Sequence, residues 1–179
     1  MNLPNAITVG RVALVPVFLV LAFRDSTSAT AAALVVFLVA SVSDFVDGYI
    51  ARRDDTISRV GQFLDPTADK LLVGAALVVL VAQHDFPLWA AILLGLREVV
   101  VQVVRTNIVR DGGTLPSSAT GKIKTVSQIV MVSWWLLPWE RINLVHWILL
   151  GEALIFSFVS GIEYIVRRPK QPVVGERVA

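Results

Sequence analysis

Residues 26–47 read STSATAAALVVFLVASVSDFVD. Ser26 to Ser43, the first 18 of them, carry no charge, and two aspartates, Asp44 and Asp47, follow at once. One helical crossing of a lipid bilayer needs about 20 mostly apolar residues. A helix on a soluble bundle instead keeps a wet face recurring every 3.6 residues, and Ala29–Val42 and Leu71–Val81 have none. The whole chain leans the same way: of 179 residues 55% are hydrophobic and 17% charged, with mean hydropathy +0.71, where a soluble domain carries about 25% charge. So much Leu, Val, Ile and Phe excludes a disordered chain or a nucleic-acid coat, and the absence of Cys excludes a disulfide scaffold. The expected partner is the lipid bilayer, with no nucleic acid.

Working outward, the apolar runs and their breakers predict an all-α, polytopic membrane protein with six transmembrane helices over 5–23, 28–51, 61–83, 86–109, 118–138 and 142–166. Arg24-Asp25-Ser26-Thr27, Arg53-Asp54-Asp55, His84-Asp85-Phe86-Pro87, Asp111-Gly112-Gly113 and Pro138-Trp139-Glu140-Arg141 separate them. Residues 1–166 form one membrane domain, and 167–179 are expected to be a disordered cytoplasmic tail. If both termini share a side, that side collects 13 of the 16 basic residues and the other only Arg24 and Arg141. Basic residues mark the cytoplasmic face, so the termini and the 52–60 and 110–121 loops are expected inside the cell (inner or plasma) membrane. The start lacks the basic region and cleavage site of a removable signal.

Four acids are out of keeping with lipid. Asp44 and Asp47 are three apart, Asp65 and Asp69 four apart, all within 26 residues at the cytoplasmic ends of helices two and three. Each pair shares a helical face, and the turn between the helices lets the two faces meet. An acid at mid-membrane costs at least about 2.5 kcal/mol and is functional by default. Four together cannot stay charged without positive charge among them. Oxygen donors, with no Cys and two scattered His, favour Mg2+ or Mn2+ over zinc. Gly48, Ala51 and Gly61 next to the acids suit either close helix packing or the approach of a flat ligand. Arg52 suits phosphate or a membrane anchor.

The run Asp44-x2-Asp47-Gly48-x2-Ala51-Arg52-x8-Gly61-x3-Asp65-x3-Asp69 resembles the signature of the CDP-alcohol phosphotransferases at all eight positions. Further pieces resemble the phosphatidylglycerophosphate synthase branch: Asn2-Leu3-Pro4-Asn5-x2-Thr8-x2-Arg11, Phe63-Leu64-Asp65-Pro66-x-Ala68-Asp69-Lys70, Arg97-Glu98, and Gly121-Lys122-x-Lys124-Thr125-x2-Gln128. The resemblance implies a six-helix homodimer with a polar cavity open to the cytoplasm. It implies that two divalent ions are held by Asp44, Asp47, Asp65 and Asp69, that Asp69 is also the general base, and that Gly48, Ala51, Arg52 and Gly61 seat the donor nucleotide. The implied reaction moves a phosphatidyl group from CDP-diacylglycerol to glycerol 3-phosphate and releases CMP.

An acceptor phosphate needs cations close to the acids but not among them. Arg97, Arg105 and Arg110 on or beyond helix four, with Lys122 and Lys124 opening helix five, form the candidate pocket. For Arg110 and Lys124, positive-inside topology and anionic lipid explain the charge equally well. Arg97 lies within a span and must have a partner; Glu98 is adjacent but points about 100° away. Glu152 reads as a buried acid at a packing or dimer contact, Glu163 and Arg167 as a helix-end pair. Trp134, Trp135, Trp139 and Trp147 read as an interfacial belt beside His84 and His146. The competing readings are a cardiolipin synthase using the same donor with phosphatidylglycerol, and an ion or proton transporter. The basic cluster favours a small phosphorylated alcohol, and the chain lacks the repeats and broken helices of transporters.

Overall fold

The structure is a computed structural model that describes residues 3–53, 59–110, 118–139 and 142–166, with side chains for 10–43, 70–108, 118–139 and 142–166. These residues form six helices: α1 Leu3–Ala22, α2 Thr27–Arg53, α3 Arg59–Gln83, α4 Leu88–Arg110, α5 Ala119–Leu136 and α6 Leu144–Val166. The all-helical expectation holds, and the ends shift by one or two residues for local reasons. Pro87 precedes α4, and its carbonyl accepts from the N–H groups of Ala90 and Ala91 at 3.0 and 3.2 Å; proline suits a helix start because it lacks an N–H. Ser118 caps α5, its Oγ accepting from Gly121 N at 3.0 Å. Asn143 does the same for α6, its Oδ1 accepting from Val145 N at 3.0 Å. Asp85 turns the chain between α3 and α4 at φ 50°, a conformation that aspartate tolerates better than most residues.

The core is a column of apolar side chains: Phe18 of α1, Phe37 of α2, Leu72 and Leu80 of α3, Leu94 of α4, Met131 and Leu136 of α5 and Leu150 of α6 are all buried. The Phe18 and Phe37 rings lie 5.9 Å apart. α1 packs along both α2 and α3, α5 along α6, and α4 against α6, while α2 and α3 both reach α5. The direct contact of α2 with α3, expected from their short connection, is present but slight beside the contact each makes with α1.

The bundle has two chemically different ends. At one, Trp135 near the end of α5 donates from its indole to the His84 carbonyl at 3.1 Å, and meets Phe86 edge-on at 4.8 Å and His146 at 4.8 Å. His146 is buried there, with Nδ1 2.9 Å from Asn143 Oδ1. The expectation of an interfacial belt is therefore corrected in part: Trp139 and Trp147 are exposed, but Trp135 and His146 are core. They close the end of the bundle where α3 and α5 finish and α4 and α6 begin. Burial pushes His84 below the usual imidazole range, against the pull of the Asp85 carboxylate. At the opposite end, Thr120 of α5 donates to Glu163 of α6, and Lys70 of α3 donates to Gln102 of α4. Glu163 thus bonds across to a neighbouring helix; Arg167, its expected partner, lies outside the described residues.

Large apolar side chains also cover the outside, among them Val20, Val35, Val78, Leu96 and Ile155, each more than half exposed. α6 is long and apolar enough to cross a membrane by itself; Gly10–Ala22, Thr27–Ser43 and Lys70–Gln83 are shorter apolar stretches of α1, α2 and α3. Glu152 is corrected: it is exposed on α6, beside Trp147, Ile148 and Ile155, not buried.

The core and the apolar exterior make separable predictions. Phe37→Ala removes a fully buried ring and is expected to destabilise the bundle by about 3–5 kcal/mol. Val35→Ala, two residues away on the outside, is expected to leave the thermal midpoint in detergent within a degree or two. Equal shifts for the two would contradict the packing described.

Candidate functional site

The polar end is organised by one carboxylate oxygen. Glu98 Oε1 lies 2.9 Å from Arg97 Nη1 and 2.5 Å from Lys124 Nζ, and all three side chains are largely buried. Arg97 and Glu98 are consecutive on α4 and Lys124 comes from α5, so the oxygen ties two helices. Arg97 adds the third. Its Nε donates to the Ser157 carbonyl of α6 at 2.7 Å and its Nη2 to Ser160 Oγ at 2.5 Å. Ser160 Oγ in turn donates to Ser157 O at 3.1 Å. A buried guanidinium needs such partners, because an unpaired charge in low dielectric is strongly penalised. Gly161 makes the room: a Cβ there would stand 3.2 Å from Arg97 Nε and 3.6 Å from Val101 Cγ2.

Consecutive helical residues point about 100° apart, which made Glu98 a doubtful partner for Arg97. The structure overturns that doubt, because the long arginine side chain reaches sideways along its own helix to the shorter glutamate. Two cations share one carboxylate here, so the three groups carry a formal excess of one positive charge. Of the five basic residues expected around an acceptor phosphate, Arg97 and Lys124 are brought together and buried. Arg105 and Lys122 are exposed, and the Arg110 side chain lies outside the described residues.

The acids are placed by backbone alone. α2 is helical through Asp44, Asp47, Gly48, Ala51 and Arg52, and α3 through Gly61, Asp65 and Asp69, so the three- and four-residue spacings are helical spacings. The side-chain surroundings of all eight lie outside the described residues. Among the described residues no group of three His, Cys, Asp or Glu could hold a metal ion. Lys70 directly follows Asp69 and contacts Gln102, one turn from Glu98 on α4. The middle of α3 at Lys70 therefore lies level with Gln102, one turn along α4 from the buried cations.

Sequence reasoning missed Ser157, Ser160 and Gly161, which sit on a helix with no recognised motif. A serine-rich, glycine-containing turn opposite a mid-helix arginine was the available signal.

A model of the CDP-alcohol phosphatidyltransferase family matches residues 1–159. That stretch takes in α1 to α5 and most of α6. The chain belongs to this family. Its members include a Bacillus subtilis (strain 168) protein named CDP-diacylglycerol–glycerol-3-phosphate 3-phosphatidyltransferase, 38% identical over 91% of this chain and 93% of the relative. A Pseudomonas fluorescens protein of the same name is 40% identical over 90% of this chain and 83% of the relative. A Mycobacterium tuberculosis protein (strain ATCC 25618 / H37Rv) named probable phosphatidylglycerophosphate synthase is 34% identical over 93% and 81%. Membership of the family makes the chain a CDP-alcohol phosphotransferase, and both the acidic run and the Arg97–Glu98–Lys124 cluster fall inside the matched residues.

Glu98→Gln leaves Arg97 and Lys124 buried without their anion and is expected to lower stability by about 3–5 kcal/mol. Inorganic phosphate should recover part of the loss, by supplying negative charge at the cluster. A thermal midpoint unchanged from that of the unsubstituted chain would show that the shared oxygen holds nothing together.

Proposed function

We propose that this chain transfers the phosphatidyl group of CDP-diacylglycerol to glycerol 3-phosphate, releasing CMP and forming phosphatidylglycerophosphate, in phospholipid biosynthesis. The observation that carries the reading is the buried, net-positive Arg97–Glu98–Lys124 cluster in a bundle whose α2 and α3 carry the family's acidic run. α2 and α3 bring the eight-position acidic run of the family, and α4 and α5 bring a buried, net-positive cluster suited to a small phosphorylated acceptor. Relatives matching over nine-tenths of the chain carry the name of that reaction.

In this reading, the donor set of four carboxylates, without sulfur or imidazole, fits hard divalent cations. Asp44, Asp47, Asp65 and Asp69 would hold two Mg2+ or Mn2+ ions, which supply positive charge against a pyrophosphate. Gly48, Ala51, Arg52 and Gly61 seat the cytidine nucleotide, the small residues letting the backbone come close. Arg97 and Lys124 hold the acceptor phosphate, with Arg105, Arg110 and Lys122 drawing it in. Asp69 takes the proton from an acceptor hydroxyl as its oxygen adds to the phosphorus that bears the diacylglycerol. The bond from that phosphorus to the CMP oxygen breaks, and CMP leaves with the electron pair.

The same reading puts all six helices across the cell membrane with both termini and a polar cavity on the cytoplasmic side, and makes the protein a homodimer. The length of α6, the apolar exterior and the lopsided basic residues support the membrane placement.

Three measurements test it. Purified protein given CDP-diacylglycerol, glycerol 3-phosphate and phosphatidylglycerol should make phosphatidylglycerophosphate; cardiolipin as the sole product would reassign the acceptor. Excess chelator should stop CMP release, and Mg2+ or Mn2+ should restore it. Asp69→Asn should insert normally yet lose at least about 100-fold in rate, the lower end of what a general base contributes; near-normal turnover in that variant would remove Asp69 from the role.

A further inference from the structure

Gln128 is a buried polar side chain with nothing yet to bind. It lies on α5 one turn beyond Lys124, is 2% exposed, and its Nε2 has no hydrogen-bond partner among the described residues. Lys124, Gln128, Met131 and Trp135 form a single buried stripe along α5. The first two are polar and the last two apolar, so Gln128 marks the floor at which the polar end gives way to the core. A buried donor without an acceptor costs about 1–3 kcal/mol, and an apolar side chain of the same shape escapes that penalty. Methionine would fill the same space and pack well. Trp134 Nε1 and Ser133 Oγ are also unpartnered but lie near the aromatic end of α5, and Ser157 Oγ, unpartnered beside Arg97, is a single hydroxyl on α6.

We propose that the Gln128 carboxamide binds the middle hydroxyl of the acceptor, the one that neither reacts nor carries phosphate, and so selects glycerol 3-phosphate over alcohols lacking it. The proposal rests on Lys124 holding the acceptor phosphate, as read above. Four helical residues rise about 6 Å, so a three-carbon polyol hung from a phosphate at Lys124 descends to the level of Gln128. Its phosphate is met by the cations and its attacking hydroxyl by Asp69. The remaining hydroxyl needs a partner, and the unpaired amide N–H needs an oxygen. A neutral hydroxyl satisfies it without placing further charge at that depth. Sites that hydrogen-bond a substrate hydroxyl discriminate strongly against analogues without it, because the protein group is then left unpaired.

The experiment compares the unsubstituted chain with Gln128→Met in detergent or nanodiscs. It measures KM for glycerol 3-phosphate and for CDP-diacylglycerol, the kcat/KM ratio of glycerol 3-phosphate to 3-hydroxypropyl phosphate, and the thermal midpoint. Gln128→Met should raise the acceptor KM about three- to tenfold, the worth of one neutral hydrogen bond. It should leave the donor KM within twofold and bring the ratio between the two acceptors close to one. The thermal midpoint should hold or rise, because an unpaired group has been removed; a merely structural glutamine would give the opposite sign. An unchanged acceptor ratio, a rise confined to the donor KM, or a lower midpoint with acceptor selectivity intact would each overturn the proposal while the proposed activity stands. Failure of the unsubstituted chain to use glycerol 3-phosphate at all would overturn the activity, and this inference with it.

Discussion

One carboxylate oxygen carries the polar half of this protein. Glu98 Oε1 sits between the Arg97 guanidinium and the Lys124 ammonium, two cations that would otherwise repel each other in a medium that screens little. Arg97 passes the constraint to α6 through a carbonyl and a hydroxyl. Three helices are therefore held in register at one end by charge-assisted hydrogen bonds, which are shorter and stronger than neutral ones. Gly161 is part of the same constraint, because a side chain there would press on the guanidinium.

The other end is held differently. Phe86, Trp135 and His146 pack ring against ring, and the Trp135 indole reaches the His84 carbonyl at the α3–α4 turn. Between the ends, the column of Phe18, Phe37, Leu80, Leu94 and Leu150 is held by close contact. In lipid there is little hydrophobic gain from helix association, so packing and interhelical hydrogen bonds do most of the work. A rigid aromatic end and a charged end on the same helices suit a bundle that must present fixed charges at one face.

The charges also explain one another. The proposal pairs the acids of α2 and α3 with cations, and the buried cluster, with its surplus positive charge, with an anion. In the proposed reading divalent cations answer the acids, and a phosphorylated acceptor answers the net-positive cluster. Gln128, buried one turn beyond Lys124 on α5, extends the proposed reading from charge to hydroxyl recognition.

The sequence alone determined the six helices, because breakers and apolar runs act locally, and their ends shifted only where Pro87, Ser118 and Asn143 set the first turn. It also determined the family, since the eight-position spacing from Asp44 to Asp69 is a property of the chain and not of its packing. It named Arg97 and Lys124 but not what holds them. Glu98 looked badly aimed because helical periodicity describes where a side chain starts, not how far an arginine reaches. Ser157, Ser160 and Gly161 were illegible because their role depends on α6 crossing α4, a contact between residues about 60 apart. The burial of Trp135 and His146 and the exposure of Glu152 were likewise decided by which face each helix turned inward. Local pattern fixes what each helix is; only the packing of six of them fixes which polar groups meet.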